Sequence, residues 1–212
     1  MRLPALEGCR LEAGLKAESR GPTGSNSAET RYMLRRVAVT LVAALVLMPA
    51  GRAQAQVVSI AAAGVSSKPL ATVQAAVSAF EESVGGIGCV GPAQVVFERI
   101  KWRGEYRTTT ATVAINPNRA AKSLTYTTVH ELSHHAMISC GLYEDASFTT
   151  AFYESQGLPA ERGWFDYSAG WAATPAEQFA DALAFVITGH RDARIRLSSG
   201  TVTLVEGWLT GA

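Results

Sequence analysis

Residues 123–138 read SLTYTTVHELSHHAMI, and inside them His130-Glu131-Leu132-Ser133-His134 has the form H-E-x-x-H. Asn116-Pro117-Asn118 ends the segment before this stretch and Ser139-Cys140-Gly141 closes it, which predicts a helix over 123–138. Four residues are about 400° of helical rotation, so the imidazoles of His130 and His134 stand one turn apart on one face. That spacing lets two ring nitrogens meet one tetrahedral zinc ion at about 2.0–2.1 Å. Glu131 is rotated by about 100° and reaches the same mouth from the side, where a carboxylate can take a proton from an activated water. At this chain's own His and Glu frequencies the motif is expected by chance about 0.005 times, so a surface helix with scattered histidines is the weaker reading. His135 is turned about 100° away from His134 and is expected to support the site or face solvent rather than to ligate.

A catalytic zinc takes three protein ligands and keeps one position open. Thr174-Pro175 opens a second predicted helix, Pro175 to Thr188, and Gly189 closes it. It contains Glu177-Gln178-Phe179-Ala180-Asp181, whose two carboxylates are four residues apart and share a face. One can ligate while the other braces a ligand. Phe179, Ala180, Leu183 and Phe185 make the rest of this helix apolar, and a carboxylate pair on an apolar helix needs a reason. Glu144 and Asp145, soon after the first helix, are the competing third ligands.

The pairing of HELSH with a downstream EQFAD resembles the gluzincins, the thermolysin-like group of zinc metallopeptidases. His130 and His134 match the two histidine ligands, Glu131 the general base, Glu177 the glutamate ligand, and Asp181 the carboxylate that hydrogen-bonds the first histidine. A metzincin would carry Gly and His where Met137 and Cys140 stand, so that pattern is absent. The similarity covers the two helices and little else. It implies an α+β, minimal single-domain zincin-like fold, with a small antiparallel or mixed sheet packed on the active-site helix and on a second, ligand-bearing helix. It further implies a Zn²⁺ metalloendopeptidase acting on peptides or proteins. Tyr143, Tyr153, Tyr167 and His190 are the candidate donors to the oxyanion. The stretch 106–115 stands where a zincin strand lines the cleft and pairs with extended substrate. Two other functions stay open: a zinc hydrolase acting on a non-peptide or cell-wall amide, and a secreted, non-catalytic binding module stabilised by zinc.

The frame around these helices is ordinary for a small globular protein. Of 212 residues 48% are hydrophobic and 17% charged, enough for one core and too apolar for chain-wide disorder. The net charge of +1 excludes the basic excess of a nucleic-acid binder. Met33 offers a second start, followed by Arg35, Arg36, an uncharged apolar run over 37–50 and Ala53-Gln54-Ala55. That is the layout of a secretory signal peptide over 33–55, cleaved after Ala55, with an uncleaved membrane anchor as the other reading. Residues 1–32 are then an untranslated or disordered extension, and the functional domain is 56–212. Cys89 and Cys140 fall within it and are expected to form a disulfide in an oxidising compartment, two free thiols being the alternative. Nothing argues for an oligomer, and a monomer is expected.

Along the domain, 56–66 reads as an unstructured lead-in. A helix over 68–84 follows from Leu70, Val73, Val77, Phe80 and Val84 at three- and four-residue steps, stopped by Gly85-Gly86. Residues 95–102 and 106–115 read as a hairpin turning at Arg103-Gly104-Glu105. A short helix is expected over 147–156, and a strand over 194–203. The aromatic segment 143–171 is either a wall of the substrate pocket or the core of a loop-rich subdomain.

Overall fold

A computed structural model describes residues 57–211. The extension 1–32, the signal segment 33–55 and the cleavage point lie outside the described residues. Among the described residues the chain is mixed α+β, with a four-stranded sheet and five α-helices. None of these helices is long and apolar enough to cross a membrane.

The chain enters through β1 (Val58–Ala61), α1 (Ser67–Val84) and β2 (Ala93–Phe97). α1 buries Val73, Ala76, Val77, Phe80 and Val84, the stripe its spacing predicts. β1 corrects the expectation of an unstructured lead-in. It pairs parallel with β2, Val58 opposite Ala93, and Glu81 of α1 accepts the Val57 and Val58 amides at 2.8 Å each. Partner and anchor both lie far along the chain, so local pattern carries no trace of them.

The expected hairpin is also corrected. Residues 106–115 are not one strand. They break at 108–111, where Ala111 takes a positive φ of 48°, and separate β3 (Gly104–Arg107) from β4 (Thr112–Ile115). The hairpin is β3–β4, while β2 lies parallel to β4, giving the order β1-β2-β4-β3. The run Thr108-Thr109-Thr110 has strand composition, but here it makes the turn. Gly104, expected in a turn, opens β3.

α2 (Ala121–Ser139) carries the H-E-x-x-H motif and runs through the middle of the molecule, buried at every position from Tyr126 to Met137. β3 and β4, α1 and α4 (Pro175–Thr188) all pack against it. A helix enclosed this way is ordinarily apolar all round, yet this one buries Thr127, Thr128, His130, Glu131, Ser133, His134 and His135 among its apolar residues. α4 starts with Pro175 in its first turn and ends at Gly189, φ 68°. α3 (Ala146–Gln156) is capped by Asp145, which accepts the Ser147 and Phe148 amides. α5 (Ser199–Thr210) replaces the expected strand over 194–203. The Ser198 side chain accepts the Thr201 amide, Thr201 and Val205 are buried one turn apart, and Trp208 packs on Phe179. This packing overrides the β-branched composition of Thr201-Val202-Thr203.

The Cys89–Cys140 bridge ties the loop after α1 to the end of α2, with Cα atoms 5.0 Å apart. Closing a loop of 51 residues is worth about 4 kcal/mol in the chain-entropy model. Of the aromatics, Phe148, Phe152 and Trp164 stack with one another and meet Phe179. They form core; only Tyr167 and Trp171 reach the motif helix's site.

Candidate metal centre

His130 and His134 project from α2 with ring centroids 5.0 Å apart and planes nearly perpendicular. α4 brings Glu177 across to them. Its Oε2 lies 3.1 Å from His130 Nε2 and 3.5 Å from His134 Nε2. These three residues form the group of buried donors whose atoms all lie within 4.8 Å of one another. Bonds of about 2.0–2.1 Å in a tetrahedron put neighbouring ligand atoms about 3.3 Å apart, so the spacing fits an N₂O metal site. Glu144 and Asp145 are exposed, and Asp145 is occupied in capping α3, so neither joins the histidines.

Partnering supports the fit. His134 Nε2 makes no hydrogen bond of good geometry, its contact to Glu177 Oε2 being 3.5 Å long, and both carboxylate oxygens of Glu131 are buried without a side-chain partner, the Tyr106 backbone amide being a donor beside them. Buried polar atoms are normally paired, and leaving one dry costs about 1–3 kcal/mol. A cation beside His134, with an oxygen ligand facing Glu131, would satisfy such a set. Burial pushes the Glu131 carboxyl up to about 8; the His130 charge holds it down and that of Glu177 adds to the rise. Glu177 goes the other way: burial opposes ionisation, but His134 and His130 outweigh it and hold the carboxyl well below the usual range.

Glu131 has its place because of Gly104. A Cβ built on Gly104 would sit 2.5 Å from Thr127 Cγ2 and 2.9 Å from Glu131 Cγ. Only a glycine lets the start of β3 lie this close to the motif helix.

Behind His130 the arrangement differs from the one the resemblance implies. Asp181 does not hydrogen-bond His130 directly; Tyr126 stands between them. The Tyr126 hydroxyl donates to Asp181 Oδ1 at 2.6 Å and lies 3.2 Å from His130 Nδ1. A phenol has one proton, so here its oxygen accepts from Nδ1–H, while His130 Nε2–H donates to the ionised Glu177; burial opposes the ring's charge, but Glu177, Glu131 and Asp181 outweigh it and raise its pKa. Burial, reinforced by the nearby Asp181 charge, lifts the Tyr126 phenol well above its usual range, so it stays protonated. Asp181 Oδ1 also accepts the Asp192 amide at 2.8 Å. Burial raises the Asp181 carboxyl, against the pull of these two donors.

His135 turns to the other side of α2. Its Nε2–H donates to the Gly91 carbonyl at 2.8 Å, and its Nδ1 accepts from the Tyr106 hydroxyl at 3.0 Å. Burial lowers its pKa, and it is neutral and fully engaged.

The four candidate oxyanion donors separate. Tyr153 donates to the Arg162 carbonyl at 2.7 Å within the core. Tyr143 packs edge-on against Phe165. His190 follows the end of α4, and its backbone amide bonds Thr188 Oγ1. Tyr167 alone of the four touches a donor of the metal group, its hydroxyl 3.1 Å from Glu177 Oε1. It is 38% exposed, so the one side chain runs from solvent to the buried site. The Trp171 ring lies 6.3 Å from the His130 ring, and the Arg194 guanidinium lies 4.9 Å over that same indole.

Sequence reasoning missed Tyr126, Gly104 and Trp171. Tyr126, His130 and His134 recur at four-residue steps, which was the available signal for the first. Nothing in the sequence marks Gly104 as a close-approach position rather than a turn. Comparison with protein-family models, with curated proteins and with solved structures finds no match to this chain.

Proposed function

We propose that this chain is a secreted, zinc-dependent hydrolase of peptide bonds, built on a minimal zincin-like fold. The observation that carries the proposal is Glu131, a buried carboxylate with no side-chain hydrogen-bond partner, set beside three converging metal donors. A structural zinc site takes four protein ligands and has no use for such a group. The His₂Glu donor set suits zinc among the common metals. His130, His134 and Glu177 would hold it. When bound, the ion supplies Lewis acidity that activates water and polarises a carbonyl.

The protein's own residues supply the rest. Glu131 takes the proton of the attacking water and passes it to the leaving amine, a task suited to a carboxyl raised toward neutral pH. The Tyr167 hydroxyl, which donates to Glu177 Oε1 at 3.1 Å, would have to turn its one proton to the oxygen on which charge develops. β3 is one of the two edge strands of the sheet, and it is the one that begins against Glu131. An extended peptide added to that strand would run past the base, which favours a peptide over a compact amide. The Cys89–Cys140 bridge is in keeping with an oxidising, extracellular setting.

Glu131→Gln tests the reading directly. The variant should retain one zinc per molecule by elemental analysis and lose about 10²–10⁴-fold in turnover on a peptide library. Full activity would remove Glu131 from the base's role. Folded wild-type protein that takes up no zinc would end the hydrolase reading altogether, and digestion of purified cell wall in place of peptides would move the substrate to the amide alternative.

A further inference from the structure

We propose that Arg103 and Arg194 form a cationic rim that selects substrates with an acidic side chain beside the scissile bond. The proposal rests on the hydrolase reading above and names its substrate class. Two segments far apart in sequence bring these arginines to one carboxylate. Arg194 holds Asp192 along one edge, Nε to Oδ1 at 3.0 Å and Nη2 to Oδ2 at 2.9 Å. The Asp192 amide in turn donates to Asp181 at 2.8 Å. Burial opposes ionisation of Asp192, but Arg194 and, more weakly, Arg103 outweigh it and hold the carboxyl below its ordinary range. Arg194 also lies 4.9 Å over the Trp171 indole, whose ring centre is 6.3 Å from that of His130. Its side chain is 42% exposed, so a substrate can reach it. Arg103 immediately precedes Gly104, the residue packed on Glu131. One arginine thus borders the base and the other borders a metal donor.

The charges at this rim do not cancel. Asp192 answers Arg194, and among the described residues Arg103 has no ion pair with a carboxylate. Arg103 closes the stretch Arg99-Ile100-Lys101-Trp102-Arg103, which carries three cations and no acid. Buried Asn116 fixes that stretch against the end of β4. Its side-chain amide donates to the Ile100 carbonyl at 2.6 Å and its backbone amide to the Arg103 carbonyl at 2.9 Å. The acids on the neighbouring strand ends, Glu98 and Glu105, both turn to Arg107. Residues 57–211 as a whole are acidic, with 11 Lys and Arg against 14 Asp and Glu, so the local excess runs against the composition. A fixed positive edge on an acidic protein attracts anionic groups to that edge. An extended peptide lying along β3 would carry its next side chains past Gly104 to Arg103. A carboxylate there meets a planar guanidinium that can bind it through two parallel hydrogen bonds.

The experiment measures kcat/KM of the zinc-loaded protein on matched peptides that carry Glu, Gln or Lys at each position flanking one cleavable bond, at low and at high ionic strength. On one side of the bond, wild type should prefer Glu over Gln by about 10-fold at low salt, and the two should converge as salt screens the rim. Arg103→Gln should remove most of that preference, and Arg103→Glu should turn it toward the Lys peptide. A merely structural Arg103 would lower activity on all three peptides alike, which overturns the proposal. Equal rates on the Glu and Gln peptides at low salt, or Arg103→Glu with the Glu preference intact, overturns it as well. If a variant does not fold, the wild-type preference and its loss in salt decide. Zinc-loaded wild type that cuts none of the peptides ends the hydrolase reading instead. The rim is then tested by fluorescence anisotropy of the labelled Glu and Gln peptides: tighter binding of the Glu peptide supports it, and equal binding overturns it.

Discussion

α2 presents a histidine to a tyrosine on each of two sides, Tyr126 of its own and Tyr106 of β3, and the two pairs are wired in opposite senses. Toward α4, Tyr126 gives its proton to Asp181 and accepts from His130 Nδ1. Toward the sheet, Tyr106 gives its proton to His135 Nδ1, because His135 Nε2–H is committed to the Gly91 carbonyl. Both histidines are buried, and both touch a phenol at about the same distance. One turns Nε2 to the Glu177 carboxylate; the other turns it to a backbone carbonyl. What separates the two histidines is the group each Nε2 faces, a convergent metal donor for His130 and a main-chain acceptor for His135.

Exchanging alanine for each histidine should give the largest contrast. His130→Ala is expected to weaken zinc binding by more than about 100-fold, beyond the loss from an outer partner, and to abolish turnover. His135→Ala should keep stoichiometric zinc while losing about 2–3 kcal/mol of stability from its two buried hydrogen bonds and its packing. Chelator competition and denaturant melts read the two effects separately, and loss of zinc in both variants would break the contrast.

Reduction of the disulfide sharpens it further. Gly91 lies two residues from Cys89, so the bridge secures the His135 side of α2. Removing it should cost up to about 4 kcal/mol, seen as a lower melting temperature, with the thiol state checked by intact mass. Zinc affinity of the protein that remains folded should be unchanged. A parallel loss of zinc would show that the two sides of the helix are not independent.

The last test is a pH dependence and concerns Glu131, which lies between His130 and His135 in sequence. Its folded carboxyl is raised from 4.5 to about 8. A raised carboxyl contributes stability that is fully present below its unfolded value and is lost as pH climbs through the folded one. In metal-free protein, Glu131→Gln cannot ionise and escapes that loss. Its melting temperature should therefore gain on wild type between about pH 4.5 and about pH 8. A difference that stays constant over this window would mean that Glu131 is solvated in solution.

The parts of the molecule that sequence made legible are those whose signals are local. The motif spacing, the capping residues Pro175 and Gly189, and the stripe from Val73 to Val84 all act within a turn or two of helix. Glu177 and Asp181 could be placed on one face without knowing what lay opposite. The sheet was not legible in this way. β1 pairs across a whole helix, and the parallel partner of β2 lies beyond an intervening strand, so no neighbouring residue reports either. Tyr126 was visible at the right spacing, but a tyrosine on a buried helix is more often packing than wiring. The Asp192 amide that completes Asp181 is a backbone group, which composition cannot announce.

The strand order also sets a direction for assembly. Arg107 pairs with Thr112 across a short turn, Gln94 must find Thr112 over a longer excursion, and Val58 must find Ala93 over a longer one still. Closure entropy grows with each span, and distant parallel pairing is slow. The sheet is therefore expected to grow from the β3–β4 hairpin toward the N-terminus, with β1, the first strand among the described residues, the last to find its place.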